Sequence, residues 1–342
     1  KGVLPVAKAL EGGFSYADQL GQRPGAGAVY LNIFHYDVEE FLDTKKVNAD
    51  EDLRLSTIST GLIVPSKFFD LAKEGKDFYM FAPHTVKQEY GVTLDDIDIE
   101  KYYDELVANP NVLKKKKDAR EMLNMIAQTQ LQSGYPYLMF KDNANKVHAN
   151  SNIGQIKMSN LCTEIFQLQE TSIINDYGIE DEIKRDISCN LGSLNIVNVM
   201  ETGKFRDSVH TGMDALTVVS DEANIQNAPG VKKANNELHS VGLGVMNLHG
   251  YLAKNKIGYE SEEAKDFANI FFMMMNYYSI ERSMEIAKER GEAYQDFDKS
   301  DYASGKYFDF YTSQEFVPQF EKVKELFANM HIPTSEDWKS LQ

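Results

Sequence analysis

Cysteine is nearly missing from this sequence: Cys162 and Cys189 are the only two among 342 residues. That excludes a disulfide framework of the kind secreted small domains use and favours a reducing cytoplasm. No CxxC occurs, so a thiolate metal site is not expected. The seven histidines, His35, His84, His148, His210, His239, His249 and His331, show no HExxH and no paired spacing, and each reads as structural. Positive charge is also scarce, with 36 Lys and Arg against 52 Asp and Glu and a formal charge of −16. Such a balance excludes a general nucleic-acid surface, which needs clustered cations, but leaves room for one phosphorylated ligand in a local pocket. No apolar run approaches the roughly 20 residues of a membrane span, and no signal peptide opens the chain. Lys1-Gly2-Val3-Leu4 has no initiator methionine, and Asp337 to Gln342 stop without a cap or polar tail, so the chain reads as an internal piece of a longer one.

What is present is a well-patterned core, with hydrophobic residues at 42% and aromatics at 11%. The size allows one large α/β domain or two ordinary ones; the finely divided pattern of helices and strands favours one, over 1–342. Ala28 to Ile33, Gly61 to Pro65, Tyr135 to Phe140 and Ile187 to Met200 read as strands, the second and the last of them buried. Helices are expected from Asp37, from Ser66, across Ile97 to Gln132, and over 207–226, 236–256, 262–290 and 314–328. Residues 45–57 are an unpatterned polar loop. Lys114-Lys115-Lys116-Lys117 reads as a solvated helix face or turn, and Phe271 to Tyr278 as a buried helix stripe. Helices between hydrophobic strands point to parallel βα units.

Ser159-Asn160-Leu161-Cys162-Thr163-Glu164-Ile165 carries most of the chemistry. In an extended backbone, side chains two and four apart share a face, so Asn160, Cys162 and Glu164 would point the same way. A thiol flanked by a carboxylate and an amide can give up a hydrogen atom, act as a nucleophile, or be a small buried hydrophobe. Cys189 follows 27 residues later in Ser188-Cys189-Asn190-Leu191-Gly192-Ser193-Leu194-Asn195, and is either a core thiol or an electron donor that forms a disulfide during turnover. Gly242-Leu243-Gly244 resembles a dinucleotide loop only weakly, since no third glycine stands three residues after Gly244 and the segment lies in a helical pattern.

These two cysteine segments, together with Val241-Gly242-Leu243-Gly244-Val245-Met246, resemble the catalytic subunit of ribonucleotide reductases. Ser15-Tyr16-Ala17-Asp18-Gln19-Leu20-Gly21-Gln22-Arg23-Pro24-Gly25-Ala26-Gly27 and Phe81-Ala82-Pro83-His84 are similar to the aerobic bacterial class Ib form. The resemblance implies an α/β fold: part of a ten-stranded α/β barrel of two five-stranded halves, with a central finger loop carrying Cys162. It implies that Cys162 becomes a thiyl radical and takes the 3′ hydrogen of a ribonucleotide. Glu164 would accept the 3′-hydroxyl proton and Asn160 would hold the substrate, within a substrate-binding run Ser159, Asn160, Leu161, Cys162, Thr163 and Glu164. Cys189 would be half of the reducing dithiol, its partner lying upstream of Lys1.

The resemblance also implies that no cofactor is bound directly. The radical would come from a small beta subunit with a dimetal-tyrosyl centre, and the electrons from a thioredoxin- or glutaredoxin-like protein. Ribonucleoside diphosphates would be substrates, dNTPs and ATP effectors, and the full-length protein a cytoplasmic homodimer. The 45–57 loop falls where the family reports the specificity effector, with Arg54 as its base contact. The substrate phosphate loop, the paired relay tyrosines and the tail dithiol would lie beyond Gln342, so the piece alone would be inactive. A cobalamin-dependent reductase shares the finger-loop motif. A cysteine hydrolase or a non-catalytic scaffold are the readings from other classes.

Overall fold

The structure, a computed structural model, describes residues 2–342 except Gln19 and Asn224. The chain gathers into two compact units, Lys1–His148 with Ile156–Phe166, and Ala149–Gln155 with Gln167–Gln342. In the first, strands β1 (Ala28–Asn32), β2 (Ser59–Ile63) and β5 (Tyr137–Met139) form a parallel sheet in the order β1-β2-β5. All five residues of β2 are buried, as a central parallel strand requires. Val64 continues the apolar run, and Pro65, which cannot donate to a ladder, ends it and leads into the helix Ser66–Glu74. Beneath the sheet Phe34, Phe68, Phe78 and Tyr103 meet edge to face, with ring centroids 5.3 to 6.0 Å apart.

The tetralysine run corrects the helix-or-turn expectation. Lys114–Asp118 is strand β4, antiparallel to β3 (Asp77–Phe81), and it interrupts the expected helix between Ile99–Ala108 and Ala119–Ser133. Each lysine has its own partner. Lys114 Nζ donates to the Asn109 carbonyl (2.6 Å), Lys115 lies over the Tyr36 ring (4.2 Å), Lys116 pairs with Asp77 (2.9 Å) and Lys117 with Glu39 (2.7 Å). A row of lysines on a two-stranded ribbon also deters edge pairing with other chains.

The second unit pairs β6 (Leu191–Asn195) with β7 (Gly242–Met246) in parallel. Two sequence expectations change here. Ile187 to Met200 is not one buried strand: β6 is exposed or half-buried throughout, and Asn195 then caps a helix over Ile196–Thr202 through a bond from the Val197 N–H to its Oδ1 (3.1 Å). The stretch 236–256 is not one helix either, since His239 turns left-handed after Pro229–Leu238 and β7 intervenes before Leu248–Lys254. Gly242-Leu243-Gly244 is therefore in a strand, not a helical loop.

Helix Phe205–Glu222 stops short of 226, and Asn224 lies outside the described residues. Glu262–Arg290 matches its expected bounds, capped by the Ser261 hydroxyl accepting the Ala264 N–H. Its stripe Phe267, Phe271, Met274 and Tyr278 packs with Phe205, Phe327 and Trp338, as expected of Phe271 to Tyr278. Only Glu321–Phe327 of the expected 314–328 is helical.

The protein is thus mixed α/β, with seven strands in three open sheets among the described residues. Between the helix Lys141–Val147 and β6, residues 148–190 hold no helix or strand, only an isolated bridge between Ile173 and Glu182. Among the described residues no helix is long and apolar enough to cross a membrane.

Candidate active site

The parallel register places Tyr30, Gly61 and Tyr137 in one row across β1, β2 and β5. Side chains in one row stand on the same face of a sheet. The middle member has to be glycine: a Cβ on Gly61 would sit 2.4 Å from the Tyr30 ring, which lies across it. The Tyr30 hydroxyl emerges 2.8 Å from the Asn160 carbonyl and 2.8 Å from Thr163 Oγ1. A carbonyl can only accept, so Tyr30 donates to Asn160 and accepts from the threonine hydroxyl. Burial pushes the phenol pKa up, against the Thr163 hydrogen bond, and the neighbouring Tyr137, Glu164 and Cys162 push it the same way as burial. The group therefore stays protonated as a donor.

The segment it meets is a turn. The Thr163 N–H donates to the Asn160 carbonyl (3.1 Å), and Thr163 is left-handed at φ +64°. Asn160 Oδ1 accepts the N–H groups of Glu164 and Ile165, each at 3.1 Å. Ser159, buried, donates its hydroxyl to the Ile165 carbonyl (2.8 Å), also 3.3 Å from Asn160 Oδ1. The extended backbone expected for 160–164 is therefore corrected. An asparagine side chain that mimics a backbone acceptor offers a tight turn an alternative to the ladder, and the left-handed Thr163 breaks the strand alternation. Cys162 and Glu164 are exposed, while Leu161 and Thr163 are half-buried.

The approach to the turn is bracketed. Asn145 Nδ2 donates to the Ile156 carbonyl (2.9 Å) and Asn145 Oδ1 accepts the Ile156 N–H (2.8 Å). Lys157 pairs with Asp96 at 2.6 Å. Burial works against the Asp96 charge, but Lys157 and the Thr93 hydroxyl outweigh it and hold the carboxyl below its usual range. On the far side His148 Nε2 lies 3.1 Å from the Phe166 carbonyl, so that nitrogen carries the proton. Burial pulls the His148 pKa down, against the help of that bond.

Cys189 belongs to the second unit and is exposed. Its neighbours are pinned: Ser188 donates to Asn235 Oδ1 (2.8 Å), Asn190 Nδ2 to the Leu216 carbonyl (2.8 Å), and the Gly242 N–H to the Asn190 carbonyl (2.8 Å). Arg54 closes its own loop, with Nη2 donating to the Val47 carbonyl (2.5 Å) and its Nε buried without a partner. One His–Glu–Glu cluster among the described residues, His210, Glu281 and Glu285, has donor atoms close enough to hold a metal. Arg206 already binds both glutamates (2.7 and 3.0 Å) and Arg282 binds Glu285 (3.0 Å), so the cluster reads as an ion-pair network.

The structure thus gathers Ser159, Asn160, Cys162, Thr163 and Glu164 into one turn and adds Tyr30, Gly61, Tyr137, Asn145 and His148, which sequence reasoning did not assign to the site. Tyr30 is 130 residues from Asn160, and no local pattern signals that contact.

The barrel domain of ribonucleotide reductases matches this sequence over residues 1–342. The chain belongs to that family. It is 55% identical to a ribonucleoside-diphosphate reductase subunit alpha of Bacillus subtilis over 342 residues, all of this chain and 49% of that protein. A subunit of the same name from Mycoplasma pneumoniae is 45% identical, with 99% of this chain and 48% of the relative covered. The NrdEB subunit alpha of Bacillus subtilis is 26% identical, with the alignment covering all of this chain and 67% of that protein. The chain spans about half the length of the first two relatives. The matched stretch contains the Asn160–Glu164 turn.

Proposed function

We propose that the protein containing this chain is the catalytic subunit of a class Ib ribonucleoside-diphosphate reductase, and that the Asn160–Glu164 turn carries its chemistry. The supporting observation is that a cysteine and a glutamate stand on a side-chain-locked turn, in a chain that matches the barrel domain throughout. A small beta subunit, whose dimetal-tyrosyl centre would supply a one-electron oxidant, would take one electron and the proton from the Cys162 thiol and leave a thiyl radical. Cys162 then takes the 3′ hydrogen of a ribonucleoside diphosphate. Glu164 accepts the 3′-hydroxyl proton, the carbon–oxygen bond at C2′ breaks, and the 2′-hydroxyl leaves as water. Cys189 and a second thiol outside this chain give two electrons and two protons and become a disulfide. The 3′ hydrogen returns from Cys162, which regenerates the radical, Glu164 returns its proton to the 3′ oxygen, and a thioredoxin- or glutaredoxin-like protein re-reduces the disulfide.

Asn160 shapes the turn, through Oδ1 accepting backbone donors, and holds the substrate. Arg54 serves the specificity loop, through its hold on 47–54. Leu161 and Thr163 complete the substrate-facing run with Ser159. The working enzyme is read as a cytoplasmic homodimer controlled by dNTPs and ATP, whose remaining length covers the turn, because a radical needs shelter from water. The experiment is nucleoside diphosphate reduction by the full-length protein with a radical-bearing beta subunit and a dithiol, for wild type and Cys162→Ser. Deoxynucleotide from wild type alone is expected. Product from both would overturn the assignment, and product only with cobalamin would move it to the partner-independent class.

A further inference from the structure

We infer that Tyr30 is a positioning residue that latches the Cys162 turn by holding Thr163 in its left-handed conformation. The inference rests on the proposed function for its effect on turnover, while the latch itself rests on geometry alone. A β-branched residue at φ +64° is strained and needs surrounding structure to keep it there. The phenol binds both ends of the turn at once. It donates to the Asn160 carbonyl, the same oxygen that accepts the Thr163 N–H, and it accepts from the Thr163 hydroxyl. Its ring cannot drift away easily, because it lies in the gap left by the missing side chain of Gly61, on a strand that is wholly buried. A tyrosine that merely satisfied its own hydroxyl could do so on any nearby carbonyl; this one bridges the two residues that define the turn. Relaxing Thr163 would rotate the backbone between Cys162 and Glu164, changing the direction in which the thiol and the carboxylate are presented.

The test uses the full-length protein as wild type, Tyr30→Phe, Thr163→Gly and the double variant. Phenylalanine keeps the ring over Gly61 and removes only the hydroxyl. Two modest hydrogen bonds lost correspond to about tenfold in the closed-to-open ratio of the turn. Amide hydrogen exchange at 163–165 is expected to accelerate about tenfold in Tyr30→Phe, with β1 and β2 amides unchanged. The kcat for nucleoside diphosphate reduction should fall about tenfold, with KM within about twofold. In the Thr163→Gly background, where a left-handed backbone costs little, the same substitution should cost less than about threefold. Gly61→Ala, which displaces the ring with the phenol intact, should reproduce the faster exchange. Unchanged exchange at 163–165 in Tyr30→Phe would overturn the latch, as would an equal tenfold loss in both backgrounds. Faster exchange with unchanged kcat would leave Tyr30 a structural residue and end the positioning role. Turnover by Cys162→Ser would sink the proposed function instead, and the exchange data would still judge the latch.

Discussion

Cys162 sits on a turn closed by side chains, from Tyr30, Asn160 and Ser159, whereas Cys189 sits just ahead of a strand, where the Gly242 N–H on the Asn190 carbonyl ties it to a ladder in addition to the Ser188 and Asn190 side-chain bonds. Both thiols are exposed. The first location is adjustable, since several polar contacts and one strained residue set it, and each can be altered singly. The second inherits its place from the β6–β7 ladder, where Leu191 pairs with Gly242. On the proposed function a radical thiol benefits from fine aim at one C–H bond, while a reducing thiol has to reach the substrate and its sulfur partner. If that division holds, substitutions around the two cysteines will fail in different ways.

The largest effect expected is at Cys162 itself. Cys162→Ser should leave no measurable deoxynucleotide while thermal unfolding stays near wild type, because an exposed thiol contributes little packing. Cys189→Ser should also give no deoxynucleotide, even in the first turnover, because the thiol pair that supplies the two electrons is broken, but unlike Cys162→Ser it should still take the 3′ hydrogen, seen as loss of label from C3′ without product. A sustained steady rate would remove Cys189 from the reductant role and erase the contrast. Glu164→Gln comes next, slowing kcat by about 10² to 10⁴, the range of a lost general base; a rate near wild type would assign the proton to another group.

How much of this was readable in the sequence depends on how local the cause is. The Glu262–Arg290 helix was legible to the residue, because Ser261 caps it, Gly291 ends it and an apolar stripe runs along it. The β4 lysines were not, because their partners Asp77, Glu39 and Tyr36 are 39 to 79 positions away and charge is not a strand signal. Gly242–Met246 was hidden for a related reason, since its ladder partner β6 lies about fifty residues upstream. At the site the chemistry-bearing residue types were visible as a set. The extended geometry was wrong because an asparagine two residues before the cysteine can act as a turn-former as easily as a strand residue. Tyr30 and Gly61 could not be found at all without the sheet register that brings them under the turn.

Acid should loosen the Cys162 side first. Burial lowers the His148 pKa in the folded chain, so the native state binds that proton less readily than the unfolded one, whose value is about 6.5. The stabilisation is present above about pH 6.5 and is lost as pH falls toward and through the depressed folded value. Amide exchange across 156–166 should therefore rise between pH 7.5 and 5.5 after correction for intrinsic rates, and His148→Gln should flatten that dependence. His35 and His239 are lowered by burial as well, so the pH dependence of global unfolding will not vanish in this variant, and the local probe is the decisive one. An unchanged pH profile in His148→Gln would mean that the His148–Phe166 bond does not control the loop.

The smallest effect separates stability from aim. Ser159 and Ser188 each precede a cysteine segment and each makes one good side-chain bond, Ser159 to the Ile165 carbonyl and Ser188 to Asn235 Oδ1, both at 2.8 Å. Replacing either with alanine should cost about 1 kcal/mol in denaturant unfolding, the usual worth of such a bond. Only Ser159→Ala should lower kcat, by a few-fold, because it leaves the Ile165 carbonyl without its hydroxyl donor and loosens the turn that aims Cys162. Ser188→Ala leaves the Gly242–Asn190 backbone bond in place, so Cys189 stays where the ladder puts it and turnover should match wild type. Equal losses of kcat from the two substitutions would show that both thiols depend on the same kind of support, and the distinction between an aimed cysteine and a merely accessible one would fall.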